Sequence, residues 1–277
     1  MTLLERNTIF KSGIVLCAVF VLFMLAASFF TVPLYKGTDH GLPAVMEENT
    51  NRPGFAFHFS DYYAVHVSIA AAVLFSLGGI IFIHCFFERT SAPEILYIAI
   101  FTISFAFEAI RIILPLHFIF NFPSFYVSAA WRILLFARFF GIFSLFAAGL
   151  RAAGLDVQKV RNVIFIIFIA ALVTTMGVPI DVLNWDTSFN TVNGYYSLFR
   201  MIGLVVFLTT IISFLIAAKT RGSKEYTYVA AGVMFVFAGR SILLNTDNWI
   251  GPVIGIFLLS FGTWVLCSKL HKIHLWL

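Results

Sequence analysis

Long apolar runs separated by short polar breaks cover almost the whole chain. Eight runs reach the roughly 20 residues that a helix, rising about 1.5 Å per residue, needs to cross the hydrocarbon core of a bilayer. They lie at about 12–34, 62–87, 95–116, 125–150, 162–184, 195–218, 226–245 and 249–270. The breaks after the third and seventh runs are short enough to predict helical hairpins. The pattern predicts an all-α polytopic membrane protein of eight transmembrane helices. Arg6 and Lys11 ahead of the first run give it the look of a secretory leader, but the run outlasts an ordinary leader core and is expected to be a retained span.

The polar residues repeat in order. The third run reads Glu94, Tyr97, Ala99, Phe105, Phe107, Ala109, Arg111, Ile113 and Leu114; the seventh reads Glu225, Tyr228, Ala230, Phe235, Phe237, Ala238, Arg240, Ile242 and Leu243. Tyr62-Tyr63 opens the second run as Tyr195-Tyr196 opens the sixth. Coincidence among Phe-rich and Ile-rich segments accounts for the weaker echoes but poorly for Glu, Tyr and Arg in the same order. The expectation is two tandem four-helix repeats, 1–155 and 156–277. Four spans per copy give both copies the same orientation, related by an axis along the membrane normal.

Composition agrees with this reading. Of 277 residues, 61% are hydrophobic and 11% charged, against about 25% charged in a soluble domain. Only lipid can solvate such an apolar surface, and helices meet their own backbone hydrogen bonds there. The formal charge of +5 resides in loops and helix ends and carries no sign of nucleic-acid binding. Arg6, Lys11, Arg89, Arg151, Lys159, Arg161, Lys219, Arg221, Lys224, Lys269 and Lys272 fall at one set of ends, and only Lys36 and Arg52 in the opposite loops. Both termini are therefore expected in the cytoplasm, in a cell membrane of the bacterial inner-membrane kind.

Charges inside the spans are costly, about 2.5–3.5 kcal/mol each on insertion scales, and usually face the bundle interior. Glu108, Arg111, Arg132, Arg138, Asp181, Arg200 and Arg240 are of this kind, mostly in the predicted outer half. Five permanent cations against two carboxylates leave a surplus that suits an anion, because guanidinium forks onto carboxylate or phosphate. Glu108 and Arg111 share a helix face at i, i+3, and Asp181 can take another arginine. Arg138, Arg200 and Arg240 are left as the leading ligand candidates, with Arg111, Glu108 and Asp181 as further site residues. The plainer alternatives are architectural pairing within the bundle and, above all for Arg132, snorkelling to headgroups.

Nothing calls for a metal or another cofactor. His58, Asp61 and His66 surround the start of the second span, but Asp61 and His66 are five apart, off the spacing that stacks ligands on one helix face. His40 and His117 are expected near the same surface. Cys17, Cys85 and Cys267 form no CxxC pair, and no disulfide is expected. No hydrolase elbow, zinc-protease motif or phosphate-binding loop is present. The leading expectation is a solute carrier for a small anionic or phosphate-bearing ligand. The alternatives are a sensor or accessory subunit working through membrane partners or further copies of the chain, and an enzyme acting on a lipid-linked phosphate. The remaining expected partners are the bilayer and lipid headgroups.

Overall fold

The computed structural model describes residues 3–37, 62–88, 92–154 and 160–275. His40, Arg52, His58, Asp61, Arg89 and Lys159 lie outside them. The helices are α1 (Leu3–Gly37), α2 (Tyr62–Phe87), α3 (Pro93–Ser104), α4 (Ile113–Phe120), α5 (Ser124–Ala152), α6 (Val160–Met176), α7 (Tyr196–Thr220), α8 (Glu225–Asn245) and α9 (Ile250–Leu275). Between α3 and α4 the chain winds as a 3-10 helix over Phe105–Ile112, so the third span runs through three segments. Two short strands, β1 (Ile180–Trp185) and β2 (Thr191–Asn193), form an antiparallel hairpin between α6 and α7.

Among the described residues, seven helical segments are long and apolar enough to cross a membrane: Glu5–Val32, Tyr62–Phe87, Glu94–His117, Ser124–Ala152, Ser197–Thr220, Glu225–Asn245 and Ile250–His274. The expected fifth span, 162–184, is different. Its helix α6 has 17 residues, about 25 Å of rod against a hydrocarbon core of about 30 Å. It stops at Gly177-Val178-Pro179, because proline cannot continue a helix and pushes the residue before it out of helical backbone. The rest of that run becomes strand β1.

The outside of the bundle is as apolar as its core. Leu22, Phe165 and Phe257 are 67%, 64% and 68% exposed, which is the surface lipid tails solvate. Inside, α8 and α9 pack so closely that side chains are excluded. A Cβ on Gly239 would meet the Gly255 carbonyl oxygen at 2.8 Å, and one on Gly262 would meet that of Gly232 at 2.8 Å. Small residues that let backbones approach are the usual adhesive between helices in lipid.

The two ends of the bundle are distinct. At one end Arg6 donates to the Phe87 carbonyl at 2.6 Å, Glu94 faces His274 at 3.4 Å, and Glu225 pairs with Lys269 at 3.0 Å and Lys272 at 2.7 Å. Glu94 and Glu225, matched in the sequence, thus both hold the last turns of α9. The other end carries the hairpin. Its tip turns through Phe189, which has positive φ (56°) and is buried against Tyr62 and His66, at ring distances of 5.3 and 5.4 Å.

Candidate functional site

The site begins with the 3-10 stretch. Residues i and i+3 eclipse one another in that winding, so Glu108 and Arg111 stand directly in line on a wall of the bundle. Both are buried, and their charged groups approach to 3.7 Å. The hydrogen bonds of the carboxylate go elsewhere, however. Arg138, on α5, donates from Nε to Oε1 at 2.8 Å and from Nη2 to Oε2 at 2.6 Å. This is the two-pronged geometry that makes arginine–carboxylate pairs strong. The Arg138 guanidinium also lies 5.5 Å from the Trp131 ring.

The hairpin completes this layer. Nη2 of Arg138 donates to Oδ1 of Asn190 at 2.9 Å, and Nδ2 of Asn190 donates to the Leu244 carbonyl at 3.1 Å. Arg111 donates to the carbonyl of Ser188. Thr187 donates to Asp247 at 3.0 Å. Irregular backbone survives within a membrane protein only where it is buried in protein or lines a cavity; Arg111 satisfies the hairpin backbone at Ser188, and Arg138 holds the Asn190 side chain. Two nitrogens of Arg111, Nε and Nη1, have no hydrogen-bond acceptor among the described residues.

Beside this layer lies a cavity of about 440 Å³ bounded by α5, α7 and α8. Arg138, Arg200 and Arg240 all line it, together with Ser241 and Asn245, and no acidic residue does so among the described residues. The three arginines come from three helices and stand near the hairpin end. Arg240 is half-buried and within electrostatic reach of both Arg138 and Glu108. It makes no hydrogen bond and no ion pair among the described residues, and neither does Arg200. The volume falls within the ~300–1,000 Å³ of ordinary small-ligand sites.

The other sequence candidates sort as follows. Arg111 and Glu108 stand behind the cavity wall and hold Arg138 and the hairpin. Arg132 reaches the Thr175 carbonyl at 3.5 Å, in the last turn of α6, where a cation offsets the negative end of the helix dipole; it is not part of the cavity. Asp181 lies on strand β1 rather than on the expected fifth helix, and its side chain is outside the described ones. His66 donates from Nδ1 to the Tyr62 carbonyl (3.1 Å), and its Nε2 meets the Thr31 hydroxyl (3.2 Å); it does not line the cavity. Ser188 and Asn190 are site residues that hydropathy alone passes over. The signal that could have found them is the cluster Asp186, Thr187, Ser188, Asn190, Asn193 and Gly194, turn formers between two short alternating stretches.

Fold and site together define a multi-pass helical membrane protein with a cationic cavity beside a hairpin plug. An uncharacterized protein of Treponema pallidum (strain Nichols) is similar to the chain, 20% identical over 239 residues, with 69% of each chain covered. No family model matches the chain, and no solved structure does.

Proposed function

We propose that the protein binds a small anionic or phosphate-bearing ligand in the cavity lined by Arg138, Arg200 and Arg240, and that it carries this ligand across the membrane. The observation behind this reading is Arg240: a permanent cation facing a cavity beside a second cation, with no carboxylate paired to it among the described residues. Such a charge inside a membrane protein is retained for a ligand or a pathway rather than for stability.

The architecture supports a carrier. The sequence repeat pairs α2 with α7, the third span with α8, and α5 with α9. The packing follows the same rule across the halves, since α5 packs on α7 and α9 packs on α2. Two tandem four-helix units in one orientation account for that reciprocity, and the seam between them is where parallel-repeat carriers place their sites. The third span, wound through an α, 3-10 and α segment, supplies the mid-span discontinuity that the apolar pattern conceals. In this reading the basic end is cytoplasmic, and the similarity to a bacterial protein fits a bacterial inner membrane.

The test is uptake of labelled inorganic phosphate and of a panel of small organic phosphates and carboxylates into proteoliposomes. Saturable uptake by the parent protein, lost in Arg240→Gln, is the expected result. A second reading, an accessory or sensor subunit, is favoured by α6. That helix packs chiefly on α5 and leaves Phe165, Ile166, Val173 and Met176 exposed, a face that suits a membrane partner as well as lipid. Binding without flux, together with a co-purifying membrane protein, would decide for it.

A further inference from the structure

We propose that the occupant of the arginine-lined cavity is an anionic amphiphile, a single apolar tail carrying a phosphate or carboxylate head, which enters from the lipid between α7 and α8. This rests on the anion-site reading above and names the class of ligand. The cavity is polar at one end only. Arg200 stands in the first turns of α7 and Arg240 in the last turns of α8, so the cations gather toward the hairpin end, where Arg138 also points because helical side chains lean toward the N-terminus of their helix. The remaining wall is aliphatic and aromatic, with Phe139, Ile142, Leu204, Phe207, Met234 and Phe237. A hydrophilic anion would meet donors at its head and leave this wall without a partner. An acyl tail covers it.

The cavity also opens sideways. Leu204 and Met234 line it and are 51% and 52% exposed on the outside of the bundle, where lipid tails lie. Below the level of Arg200 and Arg240, the two helices touch at Phe207 and Phe237, whose ring centroids are 4.3 Å apart. Gly203 keeps the wall thin, since a Cβ there would meet no atom within 4 Å. The opposite seam provides the contrast. A cavity of about 410 Å³ between α2 and α9 is lined by Phe75, Gly79, Phe82 and Trp264 among others, with no charged residue among the described residues. Two seams of similar volume thus differ in whether a head group has a cationic partner.

The experiment measures equilibrium binding of three probes to the purified full chain in detergent: oleoyl lysophosphatidate, uncharged monooleoylglycerol and inorganic phosphate. Lysophosphatidate is expected to bind saturably and at least about tenfold more tightly than either of the others. Gly203→Trp, which fills the cavity from an open position, should weaken lysophosphatidate binding about tenfold. Ala238→Phe, also on the wall, replaces it if the tryptophan variant does not fold. Equal affinity for phosphate and lysophosphatidate, or full lysophosphatidate binding by both filled variants, overturns the tail while the anion site stands. Equal affinity for monooleoylglycerol and lysophosphatidate overturns head recognition. Absence of any binding component sensitive to Arg240→Gln overturns this proposal and the anion site together.

Discussion

Arg138 grips Glu108 with two hydrogen bonds of 2.8 and 2.6 Å, joining α5 to the 3-10 stretch of the third span across 30 positions of sequence. Breaking such a buried pair from one side leaves a charge without its partner and costs about 3–5 kcal/mol. Glu108→Gln is therefore expected to lower the unfolding temperature in detergent. It also adds one net positive charge beside the cavity, so inorganic phosphate should protect the variant against unfolding more than it protects the parent. Equal phosphate protection in both proteins would show that Glu108 does not restrain Arg138.

Arg240 should behave in the opposite way. Among the described residues it has no carboxylate paired to it, and repulsion from Arg138 exceeds attraction to Glu108, so Arg240→Gln relieves repulsion and is expected to leave stability unchanged or raise it by about 0.5–1 kcal/mol. Protection by phosphate, measured as the ligand-dependent shift in unfolding temperature, should disappear. A variant that unfolds markedly earlier without ligand would make Arg240 an architectural residue.

The α8–α9 seam predicts a steric effect. A side chain at Gly239 meets backbone atoms of Gly255 and Leu259, at 2.8 and 2.6 Å from Cβ, and backbone cannot rotate aside. Gly239→Leu is expected to cost about 1–3 kcal/mol or more and to reduce the yield of folded protein. Gly203→Ala, where the same atom meets nothing within 4 Å, should be close to neutral. Thermal unfolding of the pair side by side checks both.

Orientation is open to chemical labelling. Phe122 is exposed at the turn between α4 and α5, and Ser223 lies in the turn between α7 and α8 at the basic end. With exposed Cys85 replaced by Ser, Phe122→Cys should react with an impermeant maleimide on intact cells. Ser223→Cys should react only after permeabilisation. The reverse pattern would invert the assignment from basic residues.

Hydropathy made the spans legible because lipid imposes one simple requirement on every crossing helix. It overran the fifth, since Val178, Ile180, Val182 and Leu183 are as apolar in a strand as in a helix, and only Gly177 and Pro179 mark the change. The gathering of arginines in one part of the body could be read from the direction of each span. Their partners could not. Glu108 and Arg111 are near neighbours in sequence, but the hydrogen bonds to the carboxylate come from Arg138, and Asn190 reaches the same guanidinium from a hairpin. Which of two cations a carboxylate chooses depends on helix phase and on the approach of a distant loop, and neither is written in local spacing.

That phase has a mechanical side. A 3-10 turn advances about 2.0 Å and 120° per residue, against about 1.5 Å and 100° in an α-helix. Over the eight residues from Phe105 to Ile112, the difference amounts to about 4 Å of length and roughly 160° of rotation. The winding therefore acts as a phase setter between α3 and α4, deciding which side of the rod faces α5 beyond it. Rewinding those residues as α-helix would turn Pro115 and His117 toward what is now the far side of the span and draw that end inward by nearly three residues' worth of α-helical rise.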